Sequence, residues 1–549
     1  MRGVGMRVER HRVGAERLRD ATEDFADRIG GSVHGQEEAG RDPFGWQMIG
    51  DDLLDYAGAR SAAHPEIDRD AWTALLSASE AHLGAVELVA GPPGRPLSVF
   101  ITYTGTGVVY QDGTDEQPGE LLESAWQQAL YLCVIMGDPR KWHEAFHHAG
   151  VRAASGYSRA LSDLVFGDGA RVADLIGMPD RNGERALLAL AAADQDAFWT
   201  AIAAMLAEPK GGDPRPRTLL PLAPLALTAL AVRDKGWEQR IESGYLPARL
   251  TGAEKTVQRP RVGPYGTDRK TFPVPVTVER PPFSDVPAEA LDYYDAEAAE
   301  AGKLAWSPDA QVKNIPYALT STGDQQLLRF YWRAEADPEG RDPRQWQALD
   351  LASQLDAAAF RVVTAPGDSV EITIGDRTAS MRTAPVTDHA SNFAWHRAIA
   401  LALITGSRER CDLLLGIDPD SLSSEWDLPV HHTYHVALRS YLRGEPARPA
   451  TDRAIAAVED TRTTHPHHLG PFAVLLSQLV AGDREGFVAA LVDALEEFRD
   501  HYSVGDRQED PYRQVHIGAL ALTCHAHREL GWEIPVISPY LPAAIVAGR

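Results

Sequence analysis

The sequence predicts a mainly α-helical chain built from two homologous helical modules, each with a small β-hairpin, joined by a proline-rich linker. Three observations carry this reading. A block near residue 225 returns near residue 520, apolar residues fall at helical spacing in both halves, and each half holds one short β-patterned stretch.

The repeated block is the firmest of the three. Leu225-Ala226-Leu227-Thr228, Arg233, Gly236-Trp237-Glu238 and Tyr245-Leu246-Pro247 recur 295 residues later. The second copy reads Leu520-Ala521-Leu522-Thr523, Arg528, Gly531-Trp532-Glu533 and Tyr540-Leu541-Pro542, and 13 of 23 aligned positions are identical without a gap. Weaker matches precede it in the same order. Asp194 and Phe198 pair with Asp483 and Phe487; Ala125-Trp126, Ala129 and Gly137 pair with Ala394-Trp395, Ala398 and Gly406. Trp72 pairs with Trp346, and Leu53-Leu54 before Tyr56 with Leu327-Leu328 before Phe330. The shift drifts from 274 to 269, 289 and 295, as insertions and deletions in loops would cause. Chance does not produce five matches in one order. The modules are read as residues 1–250 and 288–549. The linker, 251–287, carries Arg259-Pro260, Gly263-Pro264, Phe272-Pro273-Val274-Pro275 and Pro281-Pro282, which favour extended chain.

Helices follow from periodicity and caps. After Asp70, the side chains of Trp72, Leu75, Leu76, Leu83 and Val86 share one helical face. Asp194 and Asp483 stand where N-caps belong, each four residues before an aromatic. Phe487, Leu491, Leu495 and Phe498 point inward from the second of these helices, as do Trp395, Ile399 and Leu403 from an earlier one. Gly236 and Gly531 read as helix-stopping glycines. The hairpins are expected at Leu97–Tyr110 and at Val370–Arg382, the latter turning near Gly375-Asp376. Trp126, Trp395, Trp237 and Trp532 are expected to be mostly buried, because they recur where helices would pack.

Composition narrows function. The chain has 549 residues, 44% apolar and 24% charged, with a formal net charge of −24. Such acidity repels phosphates and so argues against nucleic acid as a partner, and it favours a basic protein. No apolar run reaches the ~20 residues of a membrane span. The start lacks the apolar core of a secretory signal, with Met1 or Met6 as the first residue, and a cytoplasmic location is expected. Cys133, Cys411 and Cys524 are too few and too dispersed for a disulfide framework or a thiolate zinc site.

Chemistry-bearing motifs are sparse. His143-Glu144-Ala145-Phe146-His147 has the H-E-x-x-H spacing that puts two imidazoles on one helical face for zinc, with Glu144 as general base. The third histidine of the longer form is absent, since Ala153 stands there, and the second module reads Cys411-Asp412-Leu413-Leu414-Leu415 at the matched place. A zinc-dependent hydrolase on these residues is therefore the runner-up, and a polar helix turn is the plainer reading. His431, His432 and His435, and the cluster of His465, His467 and His468, lack an evident third ligand. Gly105-Thr106-Gly107 lacks the third glycine of a dinucleotide loop and reads as a hairpin turn. No cofactor, metal or catalytic residue is assigned. One charged stretch is singled out as a candidate partner surface: Asp493, Glu496, Glu497, Asp500, Asp506, Glu509 and Asp510.

The second module resembles the family 49 immunity proteins of bacterial polymorphic toxin systems. The likeness rests on Trp395 to Gly406, Ser440-Tyr441-Leu442-Arg443-Gly444-Glu445, the helix start Asp483 to Phe487, and the ending Gly518-Ala519-Leu520-Ala521, Gly531-Trp532-Glu533-Ile534 and Tyr540-Leu541-Pro542. It covers most of residues 320–546, and the first module carries a weaker form. The resemblance implies a largely helical, non-enzymatic protein that binds a cognate toxin, often a nuclease; it brings no catalytic residues. A helical interaction scaffold for another partner is the remaining alternative.

Overall fold

The computed structural model describes residues 6–548 except 92–95, 111–120, 138, 150–154, 210, 254–258, 282–287, 305–313, 423, 425–426 and 465–471. Helices dominate, and every sheet among the described residues has two strands. The chain divides into two compact units, Met1–Val257 and Gln258–Arg549.

In the first unit, a long helical hairpin, Pro43–Ala63 and Arg69–Ala90, forms the spine. Asp42 starts its first helix by accepting from the amides of Phe44 and Gly45, and Asp68 starts the second by accepting from Ala71 N at 2.8 Å. Strands β1 (Met6–Arg7), β2 (Leu97–Ile101), β3 (Thr106–Tyr110) and β4 (Ile241–Glu242) are short. β2 and β3 form the expected hairpin, with Leu97 opposite Tyr110. Burial raises the pKa of Glu80, whose carboxylate accepts from Thr102 N (2.7 Å) and so holds the hairpin against the spine. β1 pairs in parallel with β4, which brings the start of the unit beside its last segment.

The second unit repeats this plan with helices Ile315–Ala336 and Pro343–Thr364 as the spine. Its strands are β5 (Val276–Thr277), β6 (Ser369–Ile374), β7 (Arg377–Arg382) and β8 (Val536–Ile537). β6 and β7 turn at Gly375-Asp376, and Gln354 Oε1, at the place of Glu80, accepts from Gly375 N at 2.7 Å. β5 pairs in parallel with β8. Part of the stretch that the sequence assigns to the linker thus builds an element of the second unit.

Matched hydrogen bonds fix the correspondence residue by residue. Trp126 Nε1 donates to Phe146 O (3.2 Å) and Trp395 Nε1 to Leu414 O (3.0 Å). Arg233 reaches the carbonyls of Val134, Ile135 and Leu250; Arg528 reaches those of Ile404, Val546 and Ile545. A guanidinium satisfies carbonyls left over at helix ends, which is why this arginine recurs in the block. Arg10 donates to Ser61 O and Leu219 O, and Arg280 to Ala334 O and Gln514 O. Burial depresses both guanidinium pKa values, that of Arg10 to about 10. Gly236 and Gly531 both take positive φ, 68° and 67°, a backbone state open to glycine at little cost.

Two details depart from the sequence reading. The first spine helices align at a shift of 273, pairing Pro43 with Pro316, Asp51 with Asp324 and Arg60 with Arg333, whereas the second align at 274, so the Leu53-Leu54 match is one residue out of register. The cause is the loop between the spine helices, which is one residue longer in the second unit. The tryptophans also divide. Trp126 and Trp395 are buried, but Trp237 and Trp532 are half-buried and pack edge-on against Phe198 and Phe487.

Candidate binding site

Each unit carries a recess against the inner face of its spine, and the two recesses are lined from matched positions. In the first unit the recess is about 320 Å³ and is bounded by Leu54, Gln127, Gln128, Tyr131, Arg217 and neighbours. In the second it is about 420 Å³, with Leu327, His396, Arg397, Ala400 and Tyr512 at those same places. Tyr131 gives way to Ala400, which leaves more room.

A spine carboxylate anchors the polar lining of each, from behind Gln128 and Arg217 in the first and at the recess itself in the second. In the first unit Asp51 Oδ1 accepts from Gln128 Nε2 (2.7 Å), while Arg217 Nη1 holds Asp51 Oδ2 at 2.5 Å. Arg217 also grips Asp55 at 2.7 Å, and His82 lies 3.7 Å from Asp51. Complete burial drives the His82 pKa down to about 4, so the ring is neutral at pH 7. In the second unit the cation has moved. Arg397 replaces Gln128, donates to Asp324 Oδ1, and clasps buried Asp356 through two bonds of 2.8 and 3.0 Å. Burial opposes the charge on Arg397, but the two carboxylates outweigh it and raise its pKa. Burial raises that of Asp356 against the pull of Arg397. Tyr512 takes the place of Arg217.

The walls of the second recess are aromatic. Tyr331 and Tyr512 lie 5.2 Å apart by ring centroids, and Phe498 lies 4.8 Å from both Tyr502 and His516. Tyr434 packs on His396 at 5.0 Å. Burial raises the pKa of all four tyrosines, that of Tyr512 to about 12, and lowers that of His516 to about 4. At neutral pH the phenols are protonated and His516 carries no charge. Among the described residues, no group hydrogen-bonds the hydroxyls of Tyr331, Tyr434, Tyr502 or Tyr512.

The acidic stretch singled out from the sequence behaves in two ways. Asp493, Glu496 and Asp500 are partly buried and engaged by arginines from residues 259–261. Arg261 binds Asp493 at 2.6 Å and Glu496 at 2.8 Å, and Arg259 binds Glu496 at 2.6 Å and Asp500 at 3.0 Å. Those arginines lie over 230 residues away in sequence, so local composition hides them. Glu497 is half-buried, whereas Asp506 and Glu509 are exposed. Asp510 accepts from Tyr512 N at 2.8 Å, which sets this acidic turn next to the aromatic wall.

The histidine motifs are placed as follows. His143, Glu144 and His147 are exposed on the short helix His143–His148, with the two rings 6.1 Å apart. His431 is buried beside Asp427, His432 pairs with Asp420, and His435 stacks on Trp395 at 3.6 Å. His465, His467 and His468 lie outside the described residues. Among the described residues no three His, Cys, Asp or Glu side chains gather as a metal site, and no helix is long and apolar enough to cross a membrane.

Fold and recesses together define a tandem of two α-helical modules, each with a matched recess on its spine. A profile of the Immunity protein 49 family matches residues 180–250 and 337–545, together more than half of the chain, and the chain belongs to that family. The matched spans include Arg217 in the first unit and Arg397, Tyr502 and Tyr512 in the second. No curated protein and no solved structure matches the chain.

Proposed function

We propose that this immunity-family protein works in the cytoplasm by binding and neutralising a cognate protein toxin, with no catalysis of its own. The observation that carries the reading is the family match across both modules. The charge of −24 supports a basic partner such as a nuclease-type toxin, because complementary fields speed encounter. The acidic turn of Asp506, Glu509 and Asp510 beside the aromatic recess is the docking region we favour. Glu497 extends it, while Asp493, Glu496 and Asp500 shape the surface from behind through their arginine partners.

The test is co-expression with any multidomain toxin found encoded beside this gene, followed by association kinetics at two salt concentrations. Protection of the host and a salt-sensitive association rate are expected. Charge reversal at Asp506 and Glu509 is expected to slow association more than it speeds dissociation. Absence of any protection overturns the immunity reading.

A further inference from the structure

The two recesses differ in one respect that points to a ligand. In the first unit both oxygens of Asp51 are used: Gln128 holds one and the guanidinium of Arg217 holds the other. In the second unit Arg397 holds one oxygen of Asp324 from the place of Gln128. The other, Oδ2, has no partner among the described residues, and the side chain is 37% exposed. The turn that delivers Arg217 in the first unit delivers Tyr512 here. The second unit therefore keeps the acceptor and one donor, and lacks the second donor that Arg217 supplies in the first.

The surroundings select the same chemistry. Tyr331, Tyr434, Tyr502 and Tyr512 line the same recess, and no described residue closes off their hydroxyls, so a ligand can reach both ring faces and phenols. A guanidinium offers five N–H donors and no acceptor, and stacks on aromatic faces. Leu327, Leu403 and Leu438 line the recess and suit the three-methylene stem of an arginine. An anion is disfavoured, because two carboxylates face one guanidinium at the floor and Asp388 adds another at the wall.

We propose that the second-unit recess receives an arginine side chain of the partner protein, seated on Asp324 between Tyr331 and Tyr512 as Arg217 is seated on Asp51. The partner's identity as a toxin rests on the function proposed above; the arginine specificity does not.

The test uses the full-length protein and Nα-acetyl-arginine amide, followed by calorimetry. Saturable binding is expected. The neutral citrulline analogue should bind at least about tenfold more weakly, since it keeps the shape and loses the charge. Y512R installs the first unit's own guanidinium and should block the probe, and D324N should weaken it about tenfold or more. D324N leaves the Arg397–Asp356 clasp in place, and unchanged thermal melting of either variant shows that the loss is local. Equal binding of the citrulline analogue, undiminished binding to Y512R, or no saturable binding to the wild type each overturns the proposal. Co-expression separates this from the immunity reading. Protection by wild type and equally by Y512R refutes the recess as the contact and leaves immunity standing; no protection by wild type refutes immunity, while the probe still judges the recess.

Discussion

Asp51 and Asp324 occupy one position in two copies of one fold, yet the first has partners on both carboxylate oxygens and the second is held by Arg397 through one oxygen alone. The cation has not been lost. It has moved from the turn carrying Arg217 to the helix carrying Arg397, and His82 has become Asp356 alongside. A buried carboxylate needs a compensating charge, but the charge can come from any neighbouring element, so a duplicated fold can exchange donors while keeping its frame. The exchange frees one wall of the second recess for aromatic residues. The two units thus share a scaffold and differ in what the scaffold leaves unfilled.

The scaffold half of that comparison can be broken by core truncation. Trp395→Ala and Trp126→Ala should each cost about 3–5 kcal/mol in urea unfolding, as both indoles are buried and hydrogen-bonded. Trp532→Ala should cost less, because that ring is half-buried. Unequal losses for Trp126 and Trp395 would mean that the modules do not share a core.

A second perturbation falls on one unit alone. Ala204 and Ala207 stand where the second unit has Asp493 and Glu496, so the acidic face exists only where Arg259 and Arg261 meet it. Arg261→Ala removes the guanidinium that Asp493 and Glu496 share, leaving Glu496 to Arg259 and Asp493 to a backbone amide, and should cost about 2–3 kcal/mol, confined to the second unit. Hydrogen exchange resolved by peptide is the measurement; loosening of the first unit instead would contradict the assignment.

The paired straps offer a smaller and symmetric test. Arg10→Ala and Arg280→Ala each leave two carbonyls without a donor, and each should cost about 2 kcal/mol by denaturant midpoint. A tenfold disparity in the resulting unfolding constants would show that one strap is dispensable.

Acid sharpens the comparison last. Burial holds His82 near pKa 4 in the first unit, and His516 near 4 and His435 near 2 in the second. Below about pH 6.5 the unfolded chain takes up protons that these buried rings refuse, so stability falls as pH drops, until the folded pKa is reached. The slope is about 1.4 kcal/mol per pH unit for each such histidine, and the second unit, where burial also lowers the pKa of His525, should loosen first between about pH 6.5 and 4. Exchange rates measured at pH 7, 6 and 5 read this directly. H516N, which keeps a side-chain acceptor for the Ala519 amide, should flatten the second unit's slope.

The legible parts of this molecule were those written in local chemistry. Alternating β-branched residues around Gly105 and Gly375 marked both hairpins, and Asp194 and Asp483 marked helix starts that the structure bears out. The repeat was visible because Arg233, Gly236 and Trp237 answer to fixed backbone needs, which both copies must meet in the same way. The recess was not legible. Its key positions, Gln128 with Arg397 and Arg217 with Tyr512, differ in charge, and so break the internal match instead of extending it. The arginine partners of Asp493 and Glu496 come from a proline-rich stretch that reads as a spacer, and only the fold shows them as pairs.

The parallel pairing of β1 with β4 and of β5 with β8 has a topological consequence. In each unit a strand from the early part of the sequence pairs with one from the late part, so the intervening backbone is closed into a loop by hydrogen bonds. Each copy closes this loop with its own residues, so neither unit borrows a strand from the other. A circular permutant of either unit that keeps both strands of this pairing should therefore retain its fold, because the pairing does not depend on the order in which its two strands are made.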